Sequence, residues 1–389
     1  MNAFLEFPGM VLFRCSRTRI VGWLAGRTWR AGLLLAAVAY FFHFPSYDVA
    51  IILHEMDDAW KAVFTQVAEP FTDHNALYEP ESHSTKLAFR FVPALMLKAL
   101  GVRTIVAALL VQCCLVGVFY GLLFHVLRSH TGQPRTAFWL ALTICFIMAG
   151  HVHPSDYRGI FDILALTLLL VAVAVRRTIW VVPAILLAAF TDERALMATP
   201  ALILLELYLS DRHGSLVSII RGARCRPVLL VLFSWVLYFL LRYALGKVFG
   251  LYTSPVDLFH YLGKNIPNIP YGIYIGLEGH FLAAGMATAL FIQRKNFAFI
   301  LLLGCCFLVL QFFALCVVDI NRSLSYLLLC ILLIWIVIIR EKPSSTVLNL
   351  AGWVILVSSL YDDFFPLPVQ LARMAFVSNT LLPLENWIE

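Results

Sequence analysis

Long apolar runs alternate with short basic connectors along most of the chain, Phe297–Val318 and Leu324–Ile339 among them. Runs of this length, almost free of charge, predict helices that cross a bilayer rather than helices of a soluble core. The pattern places eleven such spans near positions 31–47, 103–127, 136–152, 160–176, 178–191, 195–210, 227–245, 273–293, 297–318, 323–340 and 346–360. Several fall short of the roughly 20 residues a full crossing needs, so one pair can be half-helices. No repeat and no soluble domain interrupts the pattern, and residues 1–389 read as one all-α, polytopic membrane domain.

The first long connector, 48–102, has its own periodicity. At 100° per residue, Ile52, Leu53, Met56, Trp60, Val63, Phe64 and Val67 share one face, and His54, Asp57, Asp58, Lys61 and Thr65 share the other. Such a helix lies in the membrane interface and holds two adjacent carboxylates just above the apolar layer. A polar stretch, Glu79 to Lys86, then opens a second short apolar helix, Leu87–Leu100, that ends at Gly101 and carries Arg90 and Lys98. It too is expected to be interfacial, because a crossing there would reverse the sidedness of every later basic loop. A second sizeable loop, 246–272, falls on the same side.

Composition supports the membrane reading: 61% of residues are hydrophobic and 13% are charged, with mean hydropathy +0.85, where a soluble domain carries about 25% charged residues. The net charge of +6 does not imply nucleic acid, since the basic residues cluster beside apolar runs as the positive-inside rule expects. With those clusters in the cytoplasm, the inner side holds 17 Lys/Arg against 4 Asp/Glu, and the outer side 12 against 18. That asymmetry predicts N-in, C-out. Arg14, Arg17, Arg19, Arg27 and Arg30 precede Ala31–Phe44 without a small-residue cleavage site, so this segment is expected to be a retained first span. The nine cysteines lie in spans or inner segments. No disulfide framework or zinc site is expected, and the pairs Cys113-Cys114 and Cys305-Cys306 read as small packing residues.

The chemistry-bearing residues gather at the outer ends of spans: Asp156, Arg158 and Asp162; Asp192, Glu193 and Arg194; Asp319 and Arg322. Glu278 and His280 stand inside one. Ionisable groups at such depth are costly unless paired or facing a watery cavity. Arg158–Asp162 and Asp319–Arg322 have the spacing to meet on one helical face. Blander readings stand beside the functional one. Asp57 and Asp58 can be a solvated helix face, and the Asp192–Arg194 and Asp319–Arg322 groups can be ion pairs tying spans together. His151 and His153 are interfacial polar residues sooner than metal ligands. Glu278 and His280, two apart, do not share a helical face, and neither is assigned a role. Taken together, carboxylates and cations at several outer ends predict one outward-facing polar site for a polar or anionic substrate.

A basic N-terminus, a first span and a long outer loop with the paired-acid run Glu55, Asp57, Asp58, Trp60 resemble the C-type glycosyltransferases, polytopic enzymes that take sugars from polyprenyl-phosphate carriers. The stretch His83, Lys86, Arg90, Pro93, Gly101 is similar to their loop segment, although His83-Ser-Thr stands where better-known members have a His-Pro-Pro turn, and their soluble C-terminal domain has no counterpart here. The resemblance covers about residues 1–130 in detail. It implies Asp57 or Asp58 as catalytic base and Lys86 or Arg90 as phosphate contacts. The wider substrate-binding set expected is His54, Glu55, His83, Asp156, Arg158, Asp192, Glu193, Arg194, Asp319 and Arg322. It also leaves room for a divalent metal at the first-loop acids.

The expected function is transfer of a sugar from a polyprenyl-phosphate donor to a glycan or lipid acceptor on the extracytoplasmic face, in a bacterial inner membrane. An accepting hydroxyl needs a carboxylate to take its proton, and the departing lipid phosphate needs cations. One alternative is a polymerase or ligase of lipid-linked oligosaccharides, with Arg158, Arg194 and Arg322 central. Another is a lipid-linked sugar transporter or flippase, which predicts an internal repeat and helices broken near the midplane.

Overall fold

The computed structural model describes residues 26–43, 60–61, 63–71, 88–151, 159–176, 178–210, 226–251, 258–266, 269–317, 320–341 and 343–364. All regular structure among them is helical. The helices are α1 (Thr28–His43), α2 (Phe91–Ala99), α3 (Ile105–Thr131), α4 (Pro134–Cys145), α5 (Met148–His151), α6 (Asp162–Val175), α7 (Val181–Thr191) and α8 (Arg194–Ser210). They are followed by α9 (Arg226–Phe249), α10 (Leu258–Asn265), α11 (Ile269–Leu277), α12 (His280–Gln293), α13 (Phe297–Leu315), α14 (Ile320–Leu324), α15 (Leu328–Arg340) and α16 (Ser345–Phe364).

Among the described residues, four stretches are long and apolar enough to cross a bilayer: α3, α9, α13 and the continuous run Arg322–Arg340. Three of them expose most of their surface, with 22–33% of the apolar window buried, whereas Arg322–Arg340 is 94% buried. A helix that is apolar all round and yet enclosed is the core of its bundle. Here α15 is that core, flanked by α8 and α12, with Trp335 fully buried at its centre. Around it, α6 packs on α7 and α3, α3 on α1, and α9 on α7 and α8.

The α1–α3 contact depends on small residues. A Cβ on Gly32 would lie 2.8 Å from the Gly117 carbonyl oxygen and 2.8 Å from Gly121 Cα, so the two backbones touch where Gly117 and Gly121 form a small-xxx-small step. Cys113, Cys114 and Cys305, read as small packing residues, are exposed on the bundle surface, while Cys306 turns inward to within 3.7 Å of Cys330 Sγ. On a helix of 3.6 residues per turn, adjacent residues point about 100° apart, so a neighbouring pair need not share an environment.

Two of the expected spans are broken. The run 136–152 divides into α4 and α5 around Phe146 and Ile147, and 273–293 divides into α11 and α12 at Glu278 and Gly279. Glu278 takes the left-handed conformation (φ 43°) that ends α11, so the spacing argument for a continuous helix at Glu278 and His280 does not apply. His280 is fully buried and its Nε2 lies 3.2 Å from Thr143 Oγ1.

Polar side chains collect at two ends of the bundle. At one, Arg176 pairs with Glu206 at 2.5 Å, and Arg294 pairs with Glu341. The other is the candidate site. Arg322 and Arg340 mark the two ends on a single helical run; at 1.5 Å per residue they stand about 27 Å apart, close to the ~30 Å of a hydrocarbon layer.

Candidate functional site

Three tight local structures aim charged side chains at one point. Phe161 adopts the left-handed conformation (φ 57°) and, as N-cap, starts α6 at Asp162, which sets a carboxylate in the first turn, the favourable end of a helix dipole. Asp192 and Glu193 alone join α7 to α8. Asp192 sits in extended conformation as the C-cap of α7, and its Oδ1 accepts the backbone N–H of Arg194 at 2.9 Å, so one residue closes one helix and starts the next. Arg90 is the N-cap of α2 but makes no side-chain cap there; its guanidinium reaches across to the α7–α8 connection.

The result is a continuous ion network drawn from segments far apart in sequence. Arg90 pairs with Asp192 at 2.9 Å and Glu193 at 3.2 Å. Arg194 pairs with Asp192 at 2.6 Å and Asp162 at 3.2 Å, and donates to Ser323 Oγ at 2.9 Å. Arg322 donates to Asp162 at 2.6 Å, and the Tyr326 hydroxyl donates to the same carboxylate at 3.3 Å. The Arg194 guanidinium also lies 5.3 Å from the Tyr326 ring centroid. Among the described residues, three guanidiniums thus face three carboxylates. Asp192 is wholly buried and Asp162 nearly so; Glu193, with a side chain 36% exposed, is the network's opening to its surroundings.

Burial opposes ionisation of Asp192, but the guanidiniums of Arg194 and Arg90 outweigh it and hold its carboxyl well below the usual carboxylate range. For Arg90, burial favours loss of the proton, and Asp192 and Glu193 more than reverse that. Both groups are therefore fixed in their charged forms. Arg90 Nε is buried and meets no hydrogen-bond partner.

The first loop is anchored beside this network. Residues 60–61 and 63–68 are helical, as the periodicity predicts. Trp60 is buried, its ring 6.4 Å from that of Phe161, the residue before Asp162. A Cβ on Gly159 (φ 70°) would sit 2.9 Å from the Trp60 ring. Val63, Phe64 and Val67 pack on the core and Lys61 is exposed. Lys98 of α2 donates to the Ala68 carbonyl at 2.8 Å, and Phe71 packs on Phe91. The second loop helix is thus present as α2, shorter than 87–100 by several residues at its start.

Of the expected site residues, Arg90, Asp192, Glu193, Arg194 and Arg322 meet in one place. His54, Glu55, Asp57, Asp58, His83, Lys86, Asp156, Arg158 and Asp319 lie outside the described residues, so the Arg158–Asp162 and Asp319–Arg322 pairings and a metal at the first-loop acids are not addressed. Among the described residues no three His, Cys, Asp or Glu side chains are grouped as a metal centre would require. Arg90, expected as a phosphate contact, is already engaged by two acids. The centre of the network, Asp162, is among the outer-end charged residues read from sequence but not in the substrate-binding set expected there, and Ser323 and Tyr326 were not anticipated. The signal for Asp162 was an acid opening an apolar run; nothing marked Tyr326, a residue type common at membrane interfaces.

No protein-family model, curated protein or solved structure matches this chain. Its reading therefore rests on the site itself.

Proposed function

We propose that the chain is a polytopic membrane glycosyltransferase of eleven spans, N-in and C-out, that moves a sugar from a polyprenyl-phosphate donor to a glycan or lipid acceptor on the extracytoplasmic face of a bacterial inner membrane. The observation that carries this reading is the convergence of Trp60 and Arg90, from the first loop, on the Asp162–Asp192–Arg194–Arg322 network. Asp57 and Asp58 precede Trp60 by three and two residues, and a chain spans at most about 3.6 Å per residue. The anchor at Trp60 therefore supports assigning the base to one of them. In the reaction this carboxylate takes the acceptor hydroxyl proton as the oxygen attacks the sugar's anomeric carbon. The bond to the lipid phosphate breaks, and a cation, Lys86 or Arg90 by the resemblance, stabilises the phosphate oxygen on which charge develops. The ion pairs with Asp192 and Glu193 keep Arg90 in place.

The test is product formation by detergent-purified protein supplied with radiolabelled polyprenyl-phosphate sugars and a glycan acceptor. Asp57→Asn or Asp58→Asn should lower the rate by at least about 10²-fold, the low end for removal of a general base, at unchanged expression. Full activity in both variants removes this mechanism. Convergence of Arg194 and Arg322 on Asp162 gives the polymerase or ligase reading its own support; it predicts that Arg194→Lys abolishes product while both Asn variants stay active. The break at Glu278 favours a transporter instead. Transport requires sealed vesicles, so turnover in detergent solution decides against it.

A further inference from the structure

A second polar feature lies close to the network but is not part of it. Along α9, Phe239, Arg242, Tyr243, Gly246 and Lys247 line an open cleft of about 470 Å³, together with Phe89 and Leu251. Among the described lining residues, the two charged ones are both cations. Arg242 is held in place twice: its guanidinium stacks 4.2 Å from the Phe89 ring centroid, and Nη1 donates to the Tyr238 hydroxyl at 2.8 Å. Lys247 is exposed, its Nζ 5.8 Å from the Tyr243 ring. Aromatic faces beside two cations make a site suited to an anion carried on an apolar body.

The apolar body has a track to follow. Leu229, Leu232, Val236, Phe239 and Tyr243 are all exposed and recur at spacings of three and four, so they form one ridge on α9. The ridge runs for about 21 Å at 1.5 Å per residue and ends at the cleft's rim. Helix α9 is among those long and apolar enough to span a bilayer, which puts the ridge against acyl chains and the cleft at headgroup depth.

We infer that the cleft binds an anionic phospholipid, with its phosphate on Arg242 and Lys247 and a chain along the α9 ridge. This does not depend on the transferase reading, since it uses neither the first-loop acids nor the ion network. Native mass spectrometry of the purified full chain tests it by titration with phosphatidylglycerol, phosphatidylcholine and inorganic phosphate. Phosphatidylglycerol should bind more tightly than phosphatidylcholine, and inorganic phosphate should compete only at far higher concentration. Lys247→Gln and Arg242→Gln should each weaken phosphatidylglycerol binding by about tenfold, the order expected for loss of one charge-assisted contact. Arg135→Gln, which removes an exposed charge from the start of α4, should leave binding unchanged. Lys247 is exposed, so its variant reads binding even if Arg242→Gln perturbs packing at Tyr238. Equal binding of the two lipids, equal potency of free phosphate, or a Lys247→Gln variant no weaker than Arg135→Gln would each overturn the assignment.

Discussion

Asp162→Asn is the substitution that most directly questions the ion network. The carboxylate accepts from Arg194, Arg322 and Tyr326 with a side chain 3% exposed, and Asn keeps its shape while removing its charge. Among the described residues, three guanidiniums would then face two carboxylates, and the buried pairs of Asp162 with Arg194 and Arg322 would lose their anion. Breaking a buried pair by neutralising one partner costs about 3–5 kcal/mol, a large share of the marginal stability of any fold. Adding Arg322→Gln leaves Arg90 and Arg194 against Asp192 and Glu193, equal in number again among the described residues. The double variant should therefore recover part of the loss, with a coupling of about 1–3 kcal/mol for groups in contact. Unfolding in mixed micelles of increasing SDS fraction, followed by tryptophan fluorescence, measures all three variants. The account fails if Asp162→Asn stays within about 1 kcal/mol of the unaltered protein, or if the two substitutions simply add.

Two further outcomes follow from contacts described above. Gly32→Ala should destabilise by about 1–3 kcal/mol, the cost of overpacking, because its Cβ meets the backbone of α3 at 2.8 Å. Gly117→Ala, which meets only Leu33 Cδ2 at 3.6 Å, should be neutral or slightly stabilising; thermal unfolding of both in detergent tells them apart. Because the folded state depresses the Asp192 carboxyl, its contribution is complete above the ordinary carboxylate pKa near 4 and is lost only as pH falls below that range. The melting temperature should show no loss from this group between about pH 5 and 8 and should fall in acid; a drop on going from pH 5 to 8 that Asp192→Asn abolishes would contradict it.

Much of the architecture was legible because helices in apolar surroundings announce themselves through length and hydropathy. The segments read as spans are helical, two of them broken and four stretches among the described residues long and apolar enough to cross a bilayer, and the periodic face of Trp60, Val63, Phe64 and Val67 packs inward as its spacing implies. What escaped was what single-chain periodicity does not encode. A left-handed residue such as Glu278 breaks a run with no proline to mark it. Apolar composition also does not tell a lipid-facing helix from an enclosed one, so α15 and α13 look alike in sequence and differ threefold in burial. At the site, the charged residues were visible one segment at a time. Their partners were not, because Arg90 and Asp192 are 102 residues apart, and Arg322 and Asp162 are 160 apart. Local spacing proposes the neighbours at i+3 and i+4, whereas the network is made by tertiary packing.

The enclosure of α15 has a consequence for how the protein is made. Hydrocarbon tails are as apolar as leucine, so the hydrophobic effect does not drive this helix from lipid into the bundle. An insertion machinery that weighs hydropathy will accept it equally well as a solitary segment. What distinguishes the right companions is at the ends: Arg322 finds Asp162 on α6 and, at the far end, Tyr208 of α8 reaches the Val337 carbonyl and Glu341. The polar termini thus serve as addresses in assembly. A chain that has lost them would be inserted in normal amount and then sorted wrongly, and its defect would surface as degradation by membrane proteases after synthesis, with insertion itself intact.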